Sequence, residues 1–168
     1  SWVANVLLHG LFNTIRLTLF GMVLATIIGF GIGLMRTARD PFLRLVARSY
    51  VELMRNTPPL VIIFVLYFFL SSQIVPQLGL EARIAALPPE MRATLGFLFG
   101  DPRLVENFVA GLLCLALFEA AYIAEIVRAG IESIPRGQWE AAASMGLGRR
   151  HVLAKVILPQ AVARTIPP

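Results

Sequence analysis

The side chains of this sequence that could do chemistry are few and scattered. His9 and His151 stand far apart, and Cys114 is the single cysteine, set in an apolar run. One thiol can form no internal disulfide and no zinc cluster, so it reads as a small buried hydrophobe. No Gly-x-x-x-x-Gly-Lys-(Ser/Thr) run occurs, and Gly29, Gly31 and Gly33 have the wrong spacing and flanks for a dinucleotide fingerprint. No nucleophile is placed with a base. What stands out instead is carboxylate inside apolar sequence. Glu119 lies within one hydrophobic stretch and Glu125 near its end, with Arg128 three residues further on. Intramembrane carboxylates are costly and mark functional sites. Glu119, with Tyr122 one turn along on the same helical face, is a candidate receptor for the ammonium group of a solute, or else a partner for a neighbouring helix or for water at the membrane edge. The Glu125–Arg128 spacing suits a structural pair.

The elements that must carry these residues are membrane spans. More than half of the 168 residues are hydrophobic, 15% are charged, and the mean hydropathy is well above zero. The apolar residues come in long runs and not in alternation, which argues against a barrel and predicts an all-α, polytopic membrane domain over residues 1–168. Leu17 to Met35 carries no charge, and Thr57 to Leu80 carries none either; each matches the ~20 residues needed to cross hydrocarbon. Spans are expected at about 11–35, 58–80 and 105–127. The first exceeds a signal-peptide core and no cleavage-type segment follows, so it reads as retained. Gly21, Ala25, Gly29 and Gly33 recur every fourth residue and predict a smooth packing stripe.

Between the spans, Arg36, Arg39, Arg44, Arg48 and Arg55 face only Asp40 and Glu52. Pro41 opens an amphipathic helix with Phe42, Leu45, Val46, Ser49 and Leu53 near one face, and Thr57-Pro58-Pro59 ends it. Residues 81–103 are mixed in charge and read as a loop with a short helix at Glu90–Phe99. The third span is followed by Arg128, Arg136, Arg149, Arg150 and Lys155. Three spans place both arginine-rich regions on one side, which the positive-inside rule makes cytoplasmic, with the N-terminus periplasmic. That division of charge argues against nucleic acid as a partner.

In the cytoplasmic region at about 132–150, Pro135 and Gly137 stop the preceding segment, and Gln138 to Met145 favour a short helix with a small-residue surface. Gly146 suits a left-handed cap. A second helix is expected from Arg149 to Leu158, ending near Pro159-Gln160. Taken alone this pattern also describes a DNA-binding helix-turn-helix. Beside membrane spans it reads as a rigid knob offered to a soluble partner.

The run Gly137-Gln138-Trp139-Glu140-Ala141-Ala142-Ala143-Ser144-Met145-Gly146, followed by Ile157-Leu158-Pro159, resembles the EAA loop of the permease subunits of bacterial ABC importers. Arg55-Asn56-Thr57-Pro58, Ala121 to Ile131 and Thr14 to Leu19 are similar to segments of the polar amino-acid permeases. Together these cover nearly the whole chain in order. The resemblance implies the type I importer permease fold, with a coupling helix that docks on an ATP-binding subunit through Gly137, Glu140, Ala141, Ala142 and Gly146. It implies no cofactor on this chain, ATP and Mg being held by the partner ATPase. A second permease subunit (a copy or a relative), a periplasmic solute-binding protein, a polar amino acid and membrane lipid complete the implied partners, in the bacterial inner membrane. Asn56 and Thr57 join Glu119 and Tyr122 as solute-path candidates, although Asn56 could equally anchor the second span. Relatives continue beyond Pro167-Pro168 with a further span, here begun at about 151, so a trimmed C-terminus is expected. The 81–103 loop is longer than in compact relatives, and Glu119 stands where a small or hydroxyl residue is expected. The rival readings are a partner-independent channel or secondary transporter, and a membrane-anchored helix-turn-helix protein.

Overall fold

A computed structural model describes residues 2–165. They are helical throughout, with no strand among the described residues. The order is α1 (Trp2–Arg36), α2 (Pro41–Asn56), α3 (Pro59–Phe69), α4 (Leu80–Ala85), α5 (Pro89–Phe99), α6 (Val105–Glu132), α7 (Arg136–Ser144), α8 (Arg149–Val152) and α9 (Leu158–Thr165). Three stretches are long and apolar enough to cross a membrane: Trp2–Arg36, Pro59–Leu78 and Pro102–Glu132. At 1.5 Å per residue, α1 is about 50 Å long, well beyond the ~30 Å of hydrocarbon. It therefore starts earlier than its charge-free core suggests.

Two helical stretches contain wide turns within continuous helix. After α3 the backbone passes through a π-helical turn at Leu70–Ile74 and a 3₁₀ turn at Val75–Leu78 before Gly79, at φ +57, ends it. After α8 a second π turn, Leu153–Ile157, leads straight into α9. Each π turn ends two residues before a proline, Pro76 and Pro159 respectively. A proline in a regular helix lacks its N–H and pushes its ring against the carbonyl one turn back. A wider turn makes room for the ring and explains why the helix expected to end near Pro159-Gln160 runs on to Thr165. The end of the expected fourth span, at Ile166 and the prolines after it, lies outside the described residues.

The segment read as a loop at 81–103 holds more helix than expected. Besides α5 it contains α4 and a 3₁₀ turn at Pro102–Leu104. Pro89 and Pro102 start their helices from N1, where a missing N–H costs nothing. Asp101 accepts the Arg103 N–H at 3.0 Å and caps the turn.

The chain forms two compact units. One comprises residues up to Thr26 and Asn56–Glu119; the other comprises Ile27–Arg55 and the residues from Ala120 onward. The first has a core of Leu70, Val75, Ala110 and Cys114, wrapped by Ile63, Leu66, Tyr67 and Leu117. Cys114 is 1% exposed and its Sγ donates to the Ile63 carbonyl at 3.4 Å, as a packing residue and not a reagent. Phe99 stacks on Phe20 with centroids 5.2 Å apart and meets Phe108 edge-on at 5.9 Å.

The second unit is built on close helix approach. Gly29 and Gly33 are buried. A Cβ on Gly29 would lie 2.7 Å from the Ala120 carbonyl oxygen and from Ile123 Cβ, and one on Gly33 would lie 2.6 Å from Val127 Cβ. Only hydrogen fits there, so α1 and α6 meet at backbone distance. In the first unit, Ala25 is 1% exposed and Gly21 is buried with room to spare: its nearest atom would be Leu112 Cδ1 at 3.8 Å. The core of this unit is Ile131, Ile134, Ala142, Val152, Ile157 and Ala161, with Leu34, Val127 and Trp139 against it. In α2 the buried face is Ala47, Val51 and Met54. The stripe at Phe42, Leu45, Val46, Ser49 and Leu53 is the opposite, exposed one.

Candidate functional site: the presented helix and its arginine anchor

The short helix α7 is displayed by what lies under it. Pro135, at φ −56 and ψ 142, turns the chain into the helix. Gly137, expected to stop the preceding segment, instead lies within the first turn of α7, since α6 has already ended at Glu132. Trp139 and Ala142, three apart, form the inner face: Ala142 is 2% exposed in the core, with Trp139 packed against it. Gly137, Glu140, Ala141 and Ser144 form the outer face and are exposed. Met145, 71% exposed, adds an apolar side chain at the end. The five residues read as one coupling set thus divide. Gly137, Glu140 and Ala141 are presented, Ala142 holds the helix down, and Gly146 shapes the turn with φ +77, the left-handed conformation expected of it.

Three polar ties fix this element. The Arg149 guanidinium lies over the Trp139 ring, 5.9 Å from its centroid, and donates to the Thr37 carbonyl at 3.2 Å. Gln160 donates to Gln138 Oε1 at 3.3 Å and to the Val156 carbonyl at 2.8 Å. Arg164 donates to the Ser133 carbonyl at 2.6 Å. Beneath them, Gly130 is where α9 crosses α6, for a Cβ there would lie 2.7 Å from Thr165 Cγ2.

Next to this element is a charge cluster that spacing revealed only in part. Glu125 receives Arg128 at 2.5 Å, the pair expected from the i, i+3 spacing. It is also bound by Arg36, from the end of α1, and approached at 3.5 Å by Arg55, from the end of α2. Arg128 reaches on to Glu132, and Arg55 lies over the Tyr122 ring at 5.6 Å. One carboxylate therefore ties α1, α2 and α6 together. The side chains of Arg36 and Glu125 are 13% and 24% exposed, so water shields this contact much less than an ordinary surface pair. Arg36 and Arg55 were missed because their distance along the chain from Glu125 leaves no periodic signal. The available hint was a lone acid among arginines at span ends.

The solute-path candidates are dispersed. Glu119 is exposed on α6, Asn56 is exposed at the end of α2, and Thr57 is half-buried after it. Tyr122 is half-buried under Arg55. No polar side chain is buried among the described residues.

Comparison with known proteins fits this geometry. The sequence profile of the family described as "Binding-protein-dependent transport system inner membrane component" matches residues 18–168. The octopine transport system permease protein OccM of Rhizobium radiobacter is 35% identical over 161 residues, which are 96% of this chain and 58% of that protein. The glutamate/aspartate import permease protein GltJ of Escherichia coli K12 is 34% identical over 155 residues, 92% of this chain and 57% of that protein. A crystal structure of an amino acid ABC transporter with histidines superposes with a TM-score of 0.58 at 29% identity, covering 96% of this chain and 65% of that one. The chain spans a little under three fifths of the length of these two permease relatives.

Proposed function

Since the chain belongs to the binding-protein-dependent transport system inner membrane component family, we propose that it is the membrane-spanning permease part of an ATP-driven importer of polar amino acids. The observation that carries this reading is the outer face of α7. Gly137, Glu140 and Ala141 are presented while Trp139 and Ala142 seat the helix on the core beside the ends of α1 and α6. Movement of the presented helix is thereby movement of the spans. A cytoplasmic ATP-binding subunit holding ATP and Mg would grip this face, and closure of two such subunits would draw two permease chains between inward- and outward-facing states. Solute delivered by a periplasmic binding protein would enter from the opposite side. The proposed setting is the bacterial inner membrane, with the N-terminus periplasmic, an orientation that the arginine distribution supports. The named relatives carry octopine and glutamate or aspartate, which supports polar amino acids as the solute class. Glu119 is proposed as a solute contact on the strength of its carboxylate within a span.

The test is uptake and co-purification with the full-length protein. Glu140→Arg and Ala141→Arg are expected to lose the ATP-binding subunit and to reduce ATP-dependent uptake by tenfold or more. Uptake that persists without any ATP-binding subunit would instead establish the channel or secondary-transporter reading. Glu119→Ala is expected to abolish uptake while ATP hydrolysis and assembly persist, and undiminished uptake ends its assignment.

A further inference from the structure

Beside the presented helix is a recess of about 430 Å³ whose walls are the ends of two spans, Arg36 of α1 with Thr37 just after it, and Ile131 and Glu132 of α6. Arg39, Arg44, Arg136 and Arg149 also face into it. The only carboxylate in its wall, Glu132, is held by Arg128, and Arg36 is held by Glu125. Among the described residues the other four arginines have no carboxylate partner. Arg44 donates to the Ala38 carbonyl at 3.3 Å and Arg149 to Thr37, both neutral groups. Four cations aimed at one recess repel each other, and a planar guanidinium is suited to phosphate oxygens.

We propose that this recess binds the phosphate headgroup of an anionic phospholipid. The span ends in its wall set it at the depth of the headgroups, because α1 and α6 leave the apolar layer there. The adjoining helix α2 completes the match. Its outward stripe exposes Phe42 at 69%, Leu45 at 62% and Leu53 at 57%, and Arg44 and Arg48 run along its flank. A helix with an apolar outward face and a basic edge lies in the plane of the interface, with its apolar side among acyl chains and its arginines among anionic headgroups. A soluble phosphate would use the arginines and leave the apolar stripe without a role. This inference rests on the chain's membrane spans and not on the ATP-coupled reading of α7.

The experiment is native mass spectrometry of the full-length protein, with whatever subunits co-purify, offered phosphatidylglycerol, phosphatidylcholine or inorganic phosphate. Phosphatidylglycerol is expected to be retained in preference to phosphatidylcholine. The double variant Arg39→Gln/Arg136→Gln is expected to lower that retention at least about fivefold, Arg39→Lys/Arg136→Lys to recover most of it, and Arg92→Gln, in α5, to leave it unchanged. Equal retention of the two lipids by the wild-type protein overturns the proposal, and this comparison needs no variant to fold. Binding of inorganic phosphate with no lipid preference overturns the lipid source. Unchanged phosphatidylglycerol retention with loss of a co-purifying subunit in the glutamine variant also overturns it, and assigns the arginines to an acidic protein face.

Discussion

Gly29 and Gly33 show how much one hydrogen decides. A methyl at Gly29 would press on a carbonyl oxygen and a β-branched side chain of α6, neither of which can swing away. Gly31, two residues on, has nothing within 4 Å of its added Cβ. Gly29→Ala is therefore expected to destabilise the fold by about 1–3 kcal/mol, as overpacking does, while Gly31→Ala is expected to be neutral, as read by thermal inactivation in detergent. At Glu125 the argument is electrostatic. Its removal leaves Arg36, Arg55 and Arg128 without their shared counter-charge, and Arg36 is mostly buried. Breaking a buried pair on one side costs more than the pair contributes. Glu125→Gln is expected to cost roughly 2–4 kcal/mol, with Glu52→Gln, whose Arg48 partner is exposed, costing under about 1 kcal/mol. A similar loss of stability for both would refute the anchoring role. The Glu125–Arg128 pair was legible from spacing. Its two further arginines were not, because tertiary contact follows from packing and no local period records it.

For the helices, the presented knob depends on the turn that ends α7. Gly146 sits at φ +77, while Gly148 is extended at φ −61 and ψ 148. Gly146→Ala forces a methyl into the left-handed region at about 1–2 kcal/mol, and Gly148→Ala meets neither strain nor a neighbour. Coupled ATP hydrolysis and transport should fall in the first variant and hold in the second. This contrast was half legible. Gly146 reads as a left-handed cap in the sequence, but only the backbone conformation shows that Gly148, two residues on, has no such need. The prolines teach the converse. Pro159 reads as a helix stop, yet the π turn at Leu153–Ile157 absorbs its ring and Ile157 is fully buried beside it. The burial of that segment against α6 and α7 repays the irregular turn, and propensity alone does not contain that term.

At the scale of the whole molecule, the arginine-rich stretches at 36–55 and 128–155 predict an orientation that labelling can check. In a background with Cys114 replaced by Ala, Met145→Cys is expected to react with an impermeant maleimide only from the cytoplasmic side. Gln77→Cys, before the turn at Gly79, is expected to react only from the other. Reaction of both from one side would overturn the orientation. The exposed apolar side chains along α1 and α3, such as Leu19, Ile27, Phe64 and Val65, belong to this scale too: they are solvated by acyl chains or by other helices, and the hydrophobic effect of water does not penalise them there.

The sequence by itself determined the class of the molecule. Long uncharged runs, their length and the side on which arginine accumulates follow from the cost of placing backbone and charge in hydrocarbon, which acts locally on each segment. It also determined the small-residue stripe and the glycine turn, because both are written in near-neighbour spacing. Only the tertiary structure decided which face of α7 is offered, which of its alanines is a core residue, which stripe of α2 points outward, and that Glu125 joins three helices. Those depend on which faces meet across distances of tens of residues along the chain, where packing and not local period is the governing term.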